Sequence, residues 1–275
     1  MQFVSRSLCR LALAAFALQG LWLPAWAQKG GAPACPARPI VVGLYEFGNF
    51  YRSGVGLDKD LADELSKRSG CKFVSRVMPR RAIWTGMQAG TVDMTLSAAA
   101  TPERLVFAWA APYMLVKNVV VLRKDADPNV HSMSDFIASP ELRLGFGRGF
   151  AAGPAYEDFV TQLRNIGRVE DVDEGDRLYA MFKAGRFQAL LAPKMVYAHY
   201  LKDEIMAGAI RVEDWGNGRQ HGPAHLMMGK KLFSAEDARR WGDMLKAMTA
   251  DGTMARLLAQ YVGKDDAVKM LLTAP

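Results

Sequence analysis

From Arg38 onward the chain alternates between two periods of apolar positions. Residues 39–44 (P-I-V-V-G-L) form a nearly unbroken apolar run, the pattern of a buried strand. Residues 57–69 instead place Leu57, Leu61, Ala62 and Leu65 on one helical face, and Gly70 supplies the stop. A strand over 72–78, a helix over 81–89 stopped by Gly90 and a strand over 92–96 follow. Residues 118–123 (N-V-V-V-L-R) predict another strand, leading to a polar link at 124–129. A second section repeats the plan, with strands over 142–146, 169–172 and 187–191. Its helices fall over 154–165, 176–184 (ended by Gly185) and 194–202. After a loop rich in Gly and His at 216–223, a strand over 224–229 precedes a helix over 235–250.

Strands alternating with helices imply an α/β fold with parallel pairing. An internal echo supports two similar halves. W-T-G-M-Q-A-G-T-V-D-M (84–94) and Y-A-M-F-K-A-G-R-F-Q-A (179–189) share an aromatic residue early in a helix, then Ala-Gly, then a strand.

The first 27 residues read differently. Arg6 and Arg10 precede an apolar run over 11–23, and Ala25-Trp26-Ala27 gives an A-x-A cleavage pattern, so a signal peptide of 1–27 is expected. The run is short for a membrane span and Pro24 closes it. Removal takes two positive charges from a net +7, leaving a mildly basic +5. Lys and Arg are interspersed with Asp and Glu, without the basic block that nucleic-acid binding needs, so no nucleic-acid partner is expected. Cys9 leaves with the signal; Cys35 and Cys71 remain. Each precedes a predicted strand, and strands joined by one crossover helix start at the same sheet edge. A disulfide is expected, with two free thiols as the alternative.

Candidate chemistry is concentrated in 92–113, V-D-M-T-L-S-A-A-A-T-P-E-R-L-V-F-A-W-A-A-P-Y. Small residues from Ser97 to Ala100 leave peptide groups accessible to a guest. Thr101 before Pro102 makes an N-cap followed by a favoured first helical residue. Arg104 offers a planar fork suited to a carboxylate. A metal site is not supported: His131, His199, His221 and His225 are scattered, and Gly222-Pro223 breaks the helical spacing of the last two. No G-x-S-x-G elbow is present, and a disulfide would remove both cysteines as nucleophiles. No catalytic residue and no cofactor is expected.

The Thr101-x-x-Arg104 segment resembles that of the family 3 periplasmic solute-binding proteins, in which the arginine clamps the ligand's carboxylate. The stretch A-D-G-T-M-A-R-L-L-A-Q-Y-V-G (250–263) is similar to the family's closing helix–turn–helix, and the order of elements over 39–263 agrees. The resemblance implies a two-lobed α/β fold of the periplasmic-binding-protein type (type II) with two hinge crossings. The expected division is a leader at 28–38, a first lobe over 39–123 completed by 219–275, and a second lobe over 124–218. The ligand set implied is Arg104, Ser97, Thr101 and Tyr45 from the first lobe, with Arg80 or Arg81, of which Arg81 is the one expected. From the second lobe come Arg148 and Gly149, in a G-F-G-R-G turn before a helix.

Two departures from the family bear on the ligand. Ala99 stands where amino-acid binders carry a hydroxyl, and Pro193 stands at or beside the acid that holds an ammonium group. The resemblance therefore implies a monomeric periplasmic protein that closes on a small organic anion rather than a standard amino acid. It would deliver that ligand to an ABC importer or serve as a sensor. The enzymatic alternative is a periplasmic lyase on the same fold, similar to the cyclohexadienyl dehydratases, with Glu46 as its acid.

Overall fold

The computed structural model describes residues 31–173, 175–216 and 222–272; the expected signal peptide and His221 lie outside the described residues. The chain begins with β1 (Ile40–Leu44), α1 (Leu57–Ser69), β2 (Phe73–Val77), α2 (Arg80–Ala89) and β3 (Met94–Ala98). Next come α3 (Pro102–Leu105), β4 (Ala108–Val116) and β5 (Asn118–Arg123). The middle of the chain forms α4 (Met133–Ala138), β6 (Leu144–Gly147), α5 (Glu157–Asn165), β7 (Val169–Val172) and α6 (Gly175–Lys183). It continues with β8 (Ala189–Pro193), α7 (Lys194–Tyr200), α8 (Lys202–Met206) and β9 (Ile210–Glu213). β10 (Gly222–Gly229), α9 (Ala235–Ala250), α10 (Thr253–Val262) and α11 (Lys264–Met270) complete it.

Two five-stranded sheets result, ordered β2-β1-β3-β10-β4 and β7-β6-β8-β5-β9. In each, three parallel strands are extended by an antiparallel pair, β10 with β4 and β5 with β9. The chain passes between sheets at Lys117 and again between β9 and β10. This corrects the expected lobe boundary after Arg123. Residues 118–123 belong to the second sheet, where β5 pairs on both sides, with β8 and β9. Flanking on both edges explains its unbroken Val-Val-Val-Leu run, of which Val120, Val121 and Leu122 are fully buried.

Helix phase decides what each lobe buries. α1 buries Leu57, Leu61, Ala62 and Leu65 and ends at Gly70 in the left-handed conformation, as expected. It shares a core with Trp241 and Leu245 of α9 and Leu257 and Leu258 of α10. On the opposite face of the first sheet, Ile83 and Met87 of α2 pack over Val92, Ala98 and Met227. In the second lobe Phe136, Phe159, Leu163 and Trp215 fill the space beneath α4 and α5.

β4 is absent from the sequence reading, which took 108–113 only as an aromatic-rich segment. Pro112 argues against a central strand, but β4 is an edge strand, and its pairing with β10 slips at Ala224/His225, opposite Pro112. An edge position with a bulge is where a strand proline is tolerated. The helix expected from Pro154 begins three residues later, at Glu157, and α4, α8, β9 and α11 complete the set of elements not anticipated.

Cys35 and Cys71 are disulfide-bonded, with Cα atoms 5.1 Å apart. They precede β1 and β2, whose register pairs Ile40 with Phe73, so the two sulfurs meet at one sheet edge as the spacing implies. A cross-link over 36 residues removes chain entropy from the unfolded state. The Cys35→Ser/Cys71→Ser variant is expected to lose ~3–4 kcal/mol, measured by urea unfolding. A loss below ~1 kcal/mol would show that the bond does not brace the fold.

Candidate functional site

The carboxyl ends of β1, β3, β6 and β8 face one another across the lobes, where open α/β sheets form ligand crevices. Two adjoining cavities occupy this crevice. One, of about 360 Å³, is lined by Ser97 to Ala100, Arg104, Asn118, Phe150 and His225 among others. Its neighbour, of about 340 Å³, is walled by Tyr45, Phe47, Leu178 and Tyr179, with Glu46, Asp173 and Asp176 towards its mouth. Phe47, Arg80 and Phe150 line both.

Arg104 is half-buried and stacks on Trp84, its guanidinium carbon 4.1 Å from the ring centroid. One Nη donates to Ala99 O at 2.8 Å and the other to Gly149 O at 2.8 Å, so a single side chain bridges the two lobes. Burial first, and Arg80 second, lower its pKa to about 10, which leaves it charged. None of its partners is anionic.

Arg80 is the second cation. Its guanidinium carbon lies 4.0 Å from the Tyr45 centroid, 4.2 Å from Phe47 and 5.3 Å from Phe150. Among the described residues it has no carboxylate within salt-bridge distance. Burial lowers its pKa, and Tyr45 and Asp58 act in the opposite sense. Arg81, the residue chosen from the sequence, is exposed and lines neither cavity. The reason is helix phase: Arg80 falls in line with the buried Ile83 and Met87, whereas Arg81 is a hundred degrees round towards solvent.

The floor is polar. Ser97, the penultimate residue of β3, has φ +49°, an uncommon conformation for a non-glycine residue. Its N–H donates to Tyr113 Oη at 2.8 Å, and its Oγ lies 2.5 Å from Asp58 Oδ1 and 3.0 Å from Tyr113 Oη. Asp58 is 2 % exposed, and burial raises its pKa to about 7 against the opposing pull of the Ser97 hydrogen bond and Arg80. Tyr45 is buried and donates to Ser97 O at 3.4 Å; burial raises its pKa to about 12.

The remaining expected residues divide. Gly149 lies on the cleft and accepts from Arg104 through its carbonyl rather than offering its N–H. Arg148 lines the second cavity but is exposed and held by Asp173 at 3.2 Å and Asp171 O at 3.0 Å. Thr101 is the N-cap of α3 but makes no side-chain cap bond and lines neither cavity. Sequence reasoning missed Asp58, Trp84, Asn118 and Phe150. Asn118 Nδ2 donates to Ala152 O at 3.0 Å, while its buried Oδ1 has no partner among the described residues.

Among the described residues no carboxylate lining the Arg104 cavity is free. Asp214 is paired with Lys117 at 2.5 Å and accepts from Gly216 N at 3.1 Å, and Asp58 lies beneath Ser97. Pro193, which lines the same cavity, supplies no charge. Among the described residues no three His, Cys, Asp or Glu side chains gather as a metal site.

The lobes meet through side chains, such as Lys194 with Asp266 at 2.6 Å and Phe47 with Phe150, and also through main-chain atoms. Asn49 N donates to Met195 O at 3.0 Å, and a Cβ at Gly48 (φ +58°) would stand 2.8 Å from Val196 Cα.

The same architecture recurs in solved structures. An ancestral arginine-binding protein bound to glutamine superposes with a TM-score of 0.68 at 22 % identity, covering 82 % of this chain and 98 % of that one. The arginine-, lysine-, histidine-binding protein from Geobacillus stearothermophilus gives 0.67 at 18 % identity, covering 82 % and 96 %. An ancestral amino acid-binding protein described as a precursor of cyclohexadienyl dehydratase gives 0.66 at 22 % identity, covering 81 % and 95 %. No curated protein matches the sequence. The sequence profile of the bacterial extracellular solute-binding proteins, family 3, matches residues 45–264. With that match and a cleft between two α/β lobes, the chain belongs to the bacterial extracellular solute-binding proteins of family 3.

Proposed function

We propose that the protein captures a small organic carboxylate between its lobes, as a monomeric periplasmic receptor that serves an ABC importer or a sensor. The observation that carries this reading is the pair Arg104 and Arg80, two guanidinium groups facing the cleft without an acidic partner among the described residues. Leaving buried cations uncompensated is costly, and an incoming anion relieves that cost for both. Arg104 presents a fork to a carboxylate, and Arg80 holds positive charge against three aromatic rings.

An α-ammonium group has the opposite fate. Glu103 and Glu157, whose charges act on Arg104, line neither cavity; Asp214 is occupied by Lys117, Asp58 is buried under Ser97, and Glu46 already accepts from Ser53 N. The unpaired Asn118 Oδ1 can accept from a ligand hydroxyl but carries no charge to neutralise an ammonium. A 2-hydroxy acid is therefore expected to bind more tightly than the matching amino acid, by about tenfold or more. Calorimetry of 3-phenyllactate against phenylalanine, and of malate against aspartate, tests this directly. Amino acids binding as tightly as their hydroxy counterparts would overturn the anion preference. Consumption of either hydroxy acid would favour the lyase alternative, in which Glu46, at the mouth of the second cavity, serves as acid.

A further inference from the structure

We propose that Asp58 is a positioning residue that couples ligand capture to proton uptake, by deciding which way the Ser97 hydroxyl donates. The argument rests on the carboxylate reading above and on the geometry of three oxygens. Ser97 Oγ has one proton and two lone pairs. Asp58 Oδ1 is 2.5 Å away and Tyr113 Oη 3.0 Å away, and the fourth direction is the cavity that Ser97 lines. The Tyr113 oxygen already accepts from Ser97 N, so its own proton is available to Ser97 Oγ.

When Asp58 is ionised, Ser97 must donate downward to it, and only a lone pair faces the cleft. An anion approaching that lone pair is repelled. When Asp58 is neutral, its O–H donates to Ser97 Oγ, Tyr113 fills the second lone pair, and the Ser97 proton is released to the ligand. Carboxylate binding thus selects neutral Asp58. The carboxyl is placed to titrate in the useful range, because burial raises its pKa to about 7.

The groups facing it are few. From β3 comes Ser97, from β4 Tyr113, from the end of β1 Tyr45 and from α2 Arg80. Both tyrosines stay protonated, since burial raises them further, and Arg80 stays charged and holds Asp58 lower than burial alone would. His225 lines the same cavity but is shifted below its ordinary value by burial, so it changes charge under more acidic conditions.

The test uses 3-phenyllactate, which stays ionised throughout. Its affinity for the wild type should fall by about tenfold or more between about pH 6.5 and about pH 8.5. Calorimetry in buffers of different ionisation enthalpy should register uptake of up to about one proton per ligand near the upper end. Asp58→Asn, whose amide donates permanently to Ser97 Oγ, should bind with little pH dependence and no proton uptake. Ser97→Ala should also lose the uptake, although Asp58 is still present. A wild-type affinity flat across this range, or a slope retained in Asp58→Asn, overturns the coupling while leaving the carboxylate reading intact. Absence of binding in every variant at every pH overturns both. The wild-type proton count decides the matter even where a variant does not fold.

Discussion

Gly48→Val is expected to abolish ligand-driven compaction while leaving both lobes folded. Gly48 has φ +58°, and a Cβ there would lie 2.8 Å from Val196 Cα and 2.9 Å from Met195 O. These are backbone atoms of the opposite lobe and cannot rotate away, so the overlap is relieved only by parting the lobes. The left-handed conformation adds ~1–2 kcal/mol of local strain for a residue with a Cβ. A ligand shifts a two-state equilibrium only by its differential affinity for the closed form, so steric denial of closure removes that advantage. Small-angle scattering should show no compaction on adding 3-phenyllactate, and affinity should drop by about tenfold or more. A variant that compacts like the wild type would show that the Gly48–Val196 contact is not part of the closed state.

Arg104→Ala should weaken carboxylate binding by roughly ten- to a hundredfold, since charge-assisted hydrogen bonds contribute ~1.5–3 kcal/mol. The side chain acts twice. It meets the ligand's charge, and it already ties the lobes together between Ala99 O and Gly149 O. Arg104→Lys should recover little, because an ammonium cannot span two carbonyls and a carboxylate with fixed fork geometry. Stability should change far less than affinity, since both carbonyls face the crevice and can turn to water. Calorimetric affinity unchanged in Arg104→Ala would remove this residue from the site.

Periodicity made the secondary structure legible wherever an element had one wet and one dry face. α1 and α9 coincide with their expected ranges because their apolar positions recur every three to four residues. The sequence shows β5 as a strand but not its lobe, because an apolar run records burial and not which sheet supplies it. The site was less legible. Arg104 and Ser97 stand in a local motif, whereas Asp58 belongs to the cleft only because α1 delivers it beneath β3, across 39 residues of sequence. Arg80 was recoverable: the phase of Ile83 and Met87 already distinguishes it from Arg81. Trp84 and Tyr179, which open the two halves of the internal echo, both face the cleft region, one under Arg104 and one in the wall of the second cavity.

The contacts that join the lobes have an evolutionary consequence. Asn49 N reaches Met195 O, Gly48 abuts the Val196 backbone and Arg104 spans to Gly149 O, so at these three points it is the main chain of the opposite lobe that is recognised, while Lys194–Asp266 and Arg52–His199 join side chain to side chain. The three main-chain contacts do not depend on which side chains meet the ligand, so those side chains can change without removing them. Ligand preference and the clamping motion are separable inheritances in such a scaffold. Such a scaffold can change the groups that meet a ligand and still keep a working clamp with which to explore new solutes.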